Sequence, residues 1–199
     1  MKDKFVNTSI NFINKYQNCD DLKLKQLKYG LEGMYGLVVK ITVVIIISII
    51  CHTTAQTLMY LLFYIGIRTF SYGIHAKSNI ACWITTILIY NIIPILCKNI
   101  IIPNIFGYIV LGVALVSMIL WSPADTPKKP LIRKENRKKC KILSIIVVLI
   151  YTIIFLTNQN TLINNALIYA LLIQSIFINP ITYKLTRTPF NNYKHYKKS

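Results

Sequence analysis

Acidic residues are scarce in this chain. Asp and Glu together number 6 among 199 residues, against 23 Lys and Arg, leaving a formal net charge of +17. Charge of either sign is missing from four long stretches, Ile41–Ile67, Ser78–Leu96, Asn99–Ala124 and Ile142–Tyr183. A soluble core helix seldom runs so far without a charge, so the solvent for these stretches is a bilayer. The cysteines, Cys19, Cys51, Cys82, Cys97 and Cys140, form no CxxC pair or regular spacing. That speaks against a zinc site or a disulfide framework, and no metal or other cofactor is expected. The first forty residues scatter Lys, Asp and Glu instead of placing a basic start before an apolar run, so no cleaved signal peptide is expected. No Gly follows Met1 and no Cys lies near Ser199, which leaves lipid anchors unsupported. No basic soluble module is present either, and nucleic acid is not an expected partner.

What is there is apolar: 54% of the residues are hydrophobic. We read an all-α, polytopic integral membrane protein of about six transmembrane helices, near 37–52, 54–73, 79–97, 100–121, 142–157 and 161–183. An amphipathic prelude, 1–36, precedes this transmembrane domain (37–183), and a basic tail, 184–199, follows it. With these spans, all of the Lys and Arg residues except Lys98 fall on one side. Such asymmetry puts both termini, the His75 region and the 122–141 loop in the cytoplasm, with the protein in the cell membrane. A single helix across 41–67 would reverse the parity and is rejected on that ground, although Cys51–Thr54 carries neither Gly nor Pro. In the prelude, Asp20 or Asp21 caps a helix whose Leu24, Leu27, Leu31 and Met34 form an apolar stripe flanked by lysines. Such a helix can lie on the inner leaflet, where the excess positive charge contacts anionic membrane lipid. Pro94, Pro103 and Pro180 are expected to kink or start helices.

One polar break stands apart. Arg68-Thr-Phe-Ser-Tyr-Gly-Ile-His75-Ala-Lys-Ser-Asn-Ile-Ala-Cys82 places an imidazole and a thiol seven residues apart between apolar runs. On one continuous helix they would be separated by about 10 Å along the axis, too far for proton transfer. Lys77-Ser78-Asn79 reads as a break, however, with Ser78 or Asn79 capping the helix that carries Cys82. Gly73 frees the backbone two residues before His75. His75 then folds back over the first turns of a helix whose dipole favours negative charge near Cys82. A neutral His75 can take the thiol proton and return it to a leaving amine. Arg68 is either a snorkelling anchor or a donor that holds a carboxylate or steadies the loop before His75. Asp125 lies in the proline-bounded segment Pro123-Ala-Asp-Thr-Pro127, where turn bonding is a sufficient explanation; spacing does not say whether it approaches His75. His52, expected on the outer side, and His195, in the basic tail, have no evident partner.

Two motifs, taken together, resemble the AgrB family of membrane peptidases that mature cyclic peptide signals in quorum sensing. The first is Arg68…Gly73-Ile74-His75-Ala76…Cys82, and the second is Pro123-Ala124-Asp125-Thr126…Lys129-Pro130. The family often has a glycine pair before His-Ala; here the first of those positions is Tyr72. The resemblance implies that His75 and Cys82 are the catalytic residues of a cysteine endopeptidase. It further implies that Arg68, Gly73, Ser78, Asn79, Pro123, Asp125, Lys129 and Pro130 support the site or position substrate. The implied partner is a small amphipathic propeptide with an acidic C-terminal tail, which the 128–139 basic cluster can steer. A homodimer is a further expected assembly. The alternatives to the enzyme are a membrane transporter or exporter and a non-catalytic scaffold for a small peptide. The near absence of acidic residues from the spans weighs against transport of protons or cations.

Overall fold

The computed structural model describes residues 2–16, 20–76, 78–127 and 129–194. Cys19, Lys77, Lys128, His195 and Ser199 lie outside the described residues, as does the side chain of Asn79. Among the described residues there are helices and isolated bridges but no β-strand. Residues 1–47 and 48–199 form two compact units.

The first unit holds α1 (Lys2–Tyr16) and most of α2 (Asp21–Ile50). The Asp20 carbonyl accepts the Leu24 N–H at 3.0 Å, so α2 starts where the aspartates predict. It then runs on past residue 37: the amphipathic stretch and the first apolar span are one helix of 30 residues, not two elements. Backbone hydrogen bonding continues across the change of composition because neither Pro nor a side-chain cap interrupts it. The Phe5 and Tyr35 rings lie 5.6 Å apart and Lys2 pairs with Glu32 at 3.2 Å, tying α1 to α2.

The second unit begins at a turn made without Gly or Pro. The His52 N–H donates to the Ile49 carbonyl at 3.1 Å and the Thr53 N–H to the Ser48 carbonyl at 2.8 Å, with His52 at φ 53°. This is the Schellman arrangement, in which the left-handed position is usually Gly. It separates α2 from α3 (Thr54–Ser71), as the charge pattern requires, and gives His52 a backbone role. Lys98 Nζ also donates to the His52 carbonyl, at 3.0 Å.

Then follow α4 (Asn79–Asn99), α5 (Asn104–Trp121), α6 (Lys134–Thr157), α7 (Thr161–Ile178), the short α8 (Pro180–Leu185) and a 3-10 turn at Asn192–Lys194. Helix α7 is the hub, packing on α3, α4, α5, α6 and α8. Ala166 and Ala170 are fully buried on it, and such small residues let neighbouring backbones approach closely. Helix α3 is nearly as enclosed. Its Gly66 stands where a Cβ would lie 2.3 Å from Tyr151 Oη, a hydroxyl that donates to the Phe63 carbonyl.

Five described helices are long and apolar enough to cross a membrane: α2, α4, α5, α6 and α7. Their outward faces carry Ile, Leu and Val, as a hydrocarbon solvent demands. The protein is a multi-pass, all-α membrane protein. Helix α3, the sixth segment expected to span, is not among the five. At 18 residues it is about 27 Å long, close to the thickness of a hydrocarbon core; Gln56, Thr57 and Arg68 lower its apolarity, and α4, α6 and α7 pack around it. Two boundaries also differ from expectation. Helix α6 starts at Lys134 rather than 142, so much of the basic 128–141 stretch is helical. The last span stops at Ile178, because Asn179 Oδ1 caps a new helix with Pro180 in its first turn.

Candidate active site

The site is built where α3 ends. Ser71 closes that helix, Tyr72 turns the chain at φ 60°, and Gly73 follows at φ 121°. A Cβ at residue 73 would come within 2.9 Å of Arg68 Nη1 and 3.1 Å of the Phe177 carbonyl, so glycine is required there twice over. Tyr72 adopts a backbone conformation that suits glycine better. The position where the family often has the first glycine of its pair is therefore a glycine-like position here too. Burial pushes the Tyr72 hydroxyl above the usual tyrosine range, with the nearby Cys140 and Asp125 adding to the effect. Lys129 Nζ lies 4.8 Å above its ring.

The two motifs are joined through backbone. The Gly73 N–H donates to the Ala124 carbonyl at 2.8 Å, and the Ala124 N–H to the Ser71 carbonyl at 3.0 Å. Tyr183 Oη donates to the same Ala124 carbonyl, and the Ile74 N–H donates to the Phe177 carbonyl at 3.1 Å. Segments that are about fifty residues apart thus become one structure, a turn clasped between the 122–130 loop and the end of α7. The Ser122–Pro123 peptide in that loop is cis.

Arg68 is tied to the turn before His75. Its Nη2 donates to the Ile74 carbonyl and its Nη1 to Gln174 Oε1 at 3.5 Å, while the guanidinium lies over the rings of Tyr64 and Phe177. It steadies the strand of chain that leads to His75. Gln174, fully buried on α7, completes the clamp: its Nε2 donates to Ser71 Oγ at 2.6 Å and to the Tyr72 carbonyl at 2.7 Å. Sequence reasoning missed Gln174. The available signal was an amide in an otherwise apolar run, where an unpaired polar group would be costly.

Helix α3 and helix α4 are separate, as the thiol–imidazole reading requires. Ser78 is the N-cap of α4, with its Oγ accepting the Ala81 N–H at 3.1 Å. Asn79 opens the helix, and Cys82 follows in its first turns. His75 and Cys82 line the same cavity of about 180 Å³, together with Tyr64, Arg68, Thr86 and Tyr90. Cys82, Thr86 and Tyr90 are spaced by four and share one face of α4, so the cavity descends from the polar turn toward the helices. Among the described residues, no carboxylate lines it.

No described residue of the 122–130 loop lines this cavity; the loop is joined to the turn before His75 through Ala124. Asp125 is fully buried and pairs with Arg137 Nη1 at 2.9 Å, not with His75. Arg137 Nη2 also donates to the Pro123 carbonyl at 3.2 Å, and its guanidinium lies 3.5 Å from the centre of the Tyr193 ring. That corrects one expectation: Arg137 belongs to an interior clamp and is not free to steer an acidic partner. The loop closes through a turn in which the Lys129 N–H donates to the Thr126 carbonyl at 3.0 Å, with Pro130 just beyond.

The class is thus a multi-pass helical membrane protein with a thiol and an imidazole converging on one small cavity beside a clasped polar turn. Residues 6–178 match the family model of accessory gene regulator B, and the chain belongs to that family. An AgrB-like protein of Listeria innocua is 35% identical over 175 residues, covering 86% of this chain and 84% of the relative. Accessory gene regulator protein B of Staphylococcus carnosus is 37% identical over 142 residues, covering 71% and 74%. The protein of that name from Staphylococcus epidermidis is 29% identical over 197 residues, covering 98% of both chains. No solved structure matches the chain.

Proposed function

We propose that this protein is a cysteine endopeptidase that removes the C-terminal tail of a small quorum-sensing propeptide and promotes its cyclisation. The observation that carries this reading is the convergence of His75 and Cys82 on one cavity across a capped helix break. His75 takes the Cys82 proton, and the thiolate attacks the carbonyl at the processing site. The C–N bond breaks as His75 returns the proton to the departing amine, leaving the acyl group on Cys82 as a thioester. A thiol or hydroxyl within the same propeptide then attacks that thioester. It forms a thiolactone or lactone, restores the Cys82 thiol, and competes with hydrolysis by water. Arg68, Gly73 and Gln174 hold the turn that carries His75, and Pro123, Asp125, Lys129 and Pro130 brace it. The test is the purified protein in lipid vesicles, given a propeptide with an amphipathic leader and an acidic tail. Released tail and cyclic product support the reading. Intact propeptide after prolonged incubation with folded protein contradicts it.

The site faces the cytoplasm of the cell membrane in this reading, because the positive-inside rule assigns the Lys- and Arg-rich stretches 128–141 and 184–199 to that side. The lysines of residues 1–36 suit contact with anionic lipid and with the propeptide leader. A membrane-impermeant thiol reagent applied from outside is expected to label Cys51, at the α2–α3 turn, and to spare Cys140, near the start of α6. Labelling of Cys140 in sealed cells would reverse the assignment.

Gln174→Leu removes every hydrogen bond that the amide makes to Ser71, Tyr72 and Arg68. The expected result is a loss in kcat of about 10²-fold, the order produced by misplacing a reacting group by about 1 Å, with KM little changed. Steady-state kinetics on protein normalised for its folded fraction checks this. An unchanged kcat would remove Gln174 from the account.

A further inference from the structure

A second cavity, of about 320 Å³, adjoins the first and shares Ile74, His75, Ala76, Thr85 and Phe177 with it. Its other walls are Ala81 on α4 and Thr182, Thr186 and Thr188 on and after α8. Cys82 lines only the first cavity, whereas His75 lines both. In acyl transfer the nucleophile must meet the carbonyl carbon and the base must meet the leaving nitrogen. The chain on the acyl side therefore extends beyond Cys82, and the leaving chain extends beyond His75.

We propose that the second cavity is the leaving-segment subsite: it holds the first residues of the propeptide tail, and the cavity between α3 and α4 takes the residue before the cleaved bond. This assignment rests on the peptidase reading and gives the substrate a direction across the site. Both cavities have the chemistry for it. The acyl side ends among Tyr64, Ile89 and Tyr90, an aromatic and apolar pocket suited to an apolar side chain. Among the described residues, no Lys, Arg, Asp or Glu lines the second cavity. Its threonines donate inward, Thr182 Oγ1 to the Ile176 carbonyl, Thr186 Oγ1 to the Thr182 carbonyl and Thr188 Oγ1 to the Thr186 carbonyl. With their protons so used, the hydroxyl oxygens keep acceptor capacity, which suits an extended peptide offering backbone N–H groups. Between these threonines in the sequence lie Lys184 and Arg187, both exposed, so a tail that leaves past this segment passes positive charge. An acidic tail leaving by this route meets complementary charge after its first uncharged residues.

Size discrimination within one protein preparation tests the direction, because ratios cancel differences in abundance. The unmodified protein is to be given propeptides with Ala or Trp as the first tail residue, and separately with small or large apolar residues before the cleaved bond. It is expected to cleave the Ala-tailed form faster than the Trp-tailed form by about 10-fold or more, the order of selectivity a filled pocket provides. The double variant Thr186→Ala, Thr188→Ala should bring that ratio close to one, leaving the ratio for the preceding residue unchanged. A variant that shifts the preceding-residue ratio, or neither ratio, overturns the assignment of this cavity. Cleavage of no propeptide by the folded unmodified protein would instead remove the peptidase reading, and this assignment with it.

Discussion

Cys82→Ser and His75→Ala are each expected to abolish tail release, with a loss of about 10²-fold or more for a missing nucleophile or base. The other described cysteines, Cys51, Cys97 and Cys140, are expected to tolerate Ala, because none of them lines the cavity that His75 shares with Cys82. The pattern is informative because it is selective. A transporter or a scaffold would have no reason to distinguish Cys82 from Cys140 while membrane insertion and abundance stay constant. Tail release is measured by mass spectrometry of the peptide products, alongside the amount of inserted protein. Release by a Cys82→Ala protein at the unmodified rate would end the assignment of this residue as nucleophile.

The second large effect is one of stability. Arg137→Ala is expected to cost about 3–5 kcal/mol, the range for removing one partner of a buried ion pair and leaving the other charge uncompensated. Asp125 is fully buried, and no other cation in the described residues pairs with it. The same substitution frees the Tyr193 ring and the Pro123 carbonyl, so the 122–130 loop and the segment around the last 3-10 turn lose a common anchor. Lys134→Ala and Lys138→Ala, at exposed positions on the same helix, should change little. Thermal unfolding in detergent separates the cases. If Arg137→Ala unfolds at the same temperature as the lysine variants, the clamp is not structural. With Arg137 held in the clamp, steering of an acidic tail falls to the remaining cations of the cluster, and its signature is a salt-sensitive KM in the unmodified protein.

Much of this was legible in the residues. The long uncharged runs define the helices, and Lys77-Ser78-Asn79 marks the break before α4, realised by the Ser78 cap. The charge asymmetry predicts a turn at Cys51–Thr54 that local propensity does not, and the turn is there, with His52 in a place usually held by Gly. Boundaries were less legible. Composition changes at residue 37 and again near 142, but helical hydrogen bonding does not need apolar side chains, so α2 and α6 extend through the basic stretches. Long-range pairing was not legible at all. That Asp125 meets Arg137 depends on how the 122–130 loop turns back onto α6. That Gln174 meets Ser71 and Tyr72 depends on the α3–α7 packing. Tyr72 departs from the family pattern, and its positive φ shows why glycine suits that position.

The most direct test of the thiol–imidazole site is capture of its covalent intermediate. The protein in vesicles is mixed with propeptide, quenched in acid within the first turnovers, digested and analysed by mass spectrometry. The account predicts that the peptide containing Cys82 gains the mass of the propeptide without its tail. That adduct should be released by hydroxylamine, as a thioester is, and be absent from the Cys82→Ser protein. Tail release with no adduct on Cys82, or with the adduct on another residue, would contradict it.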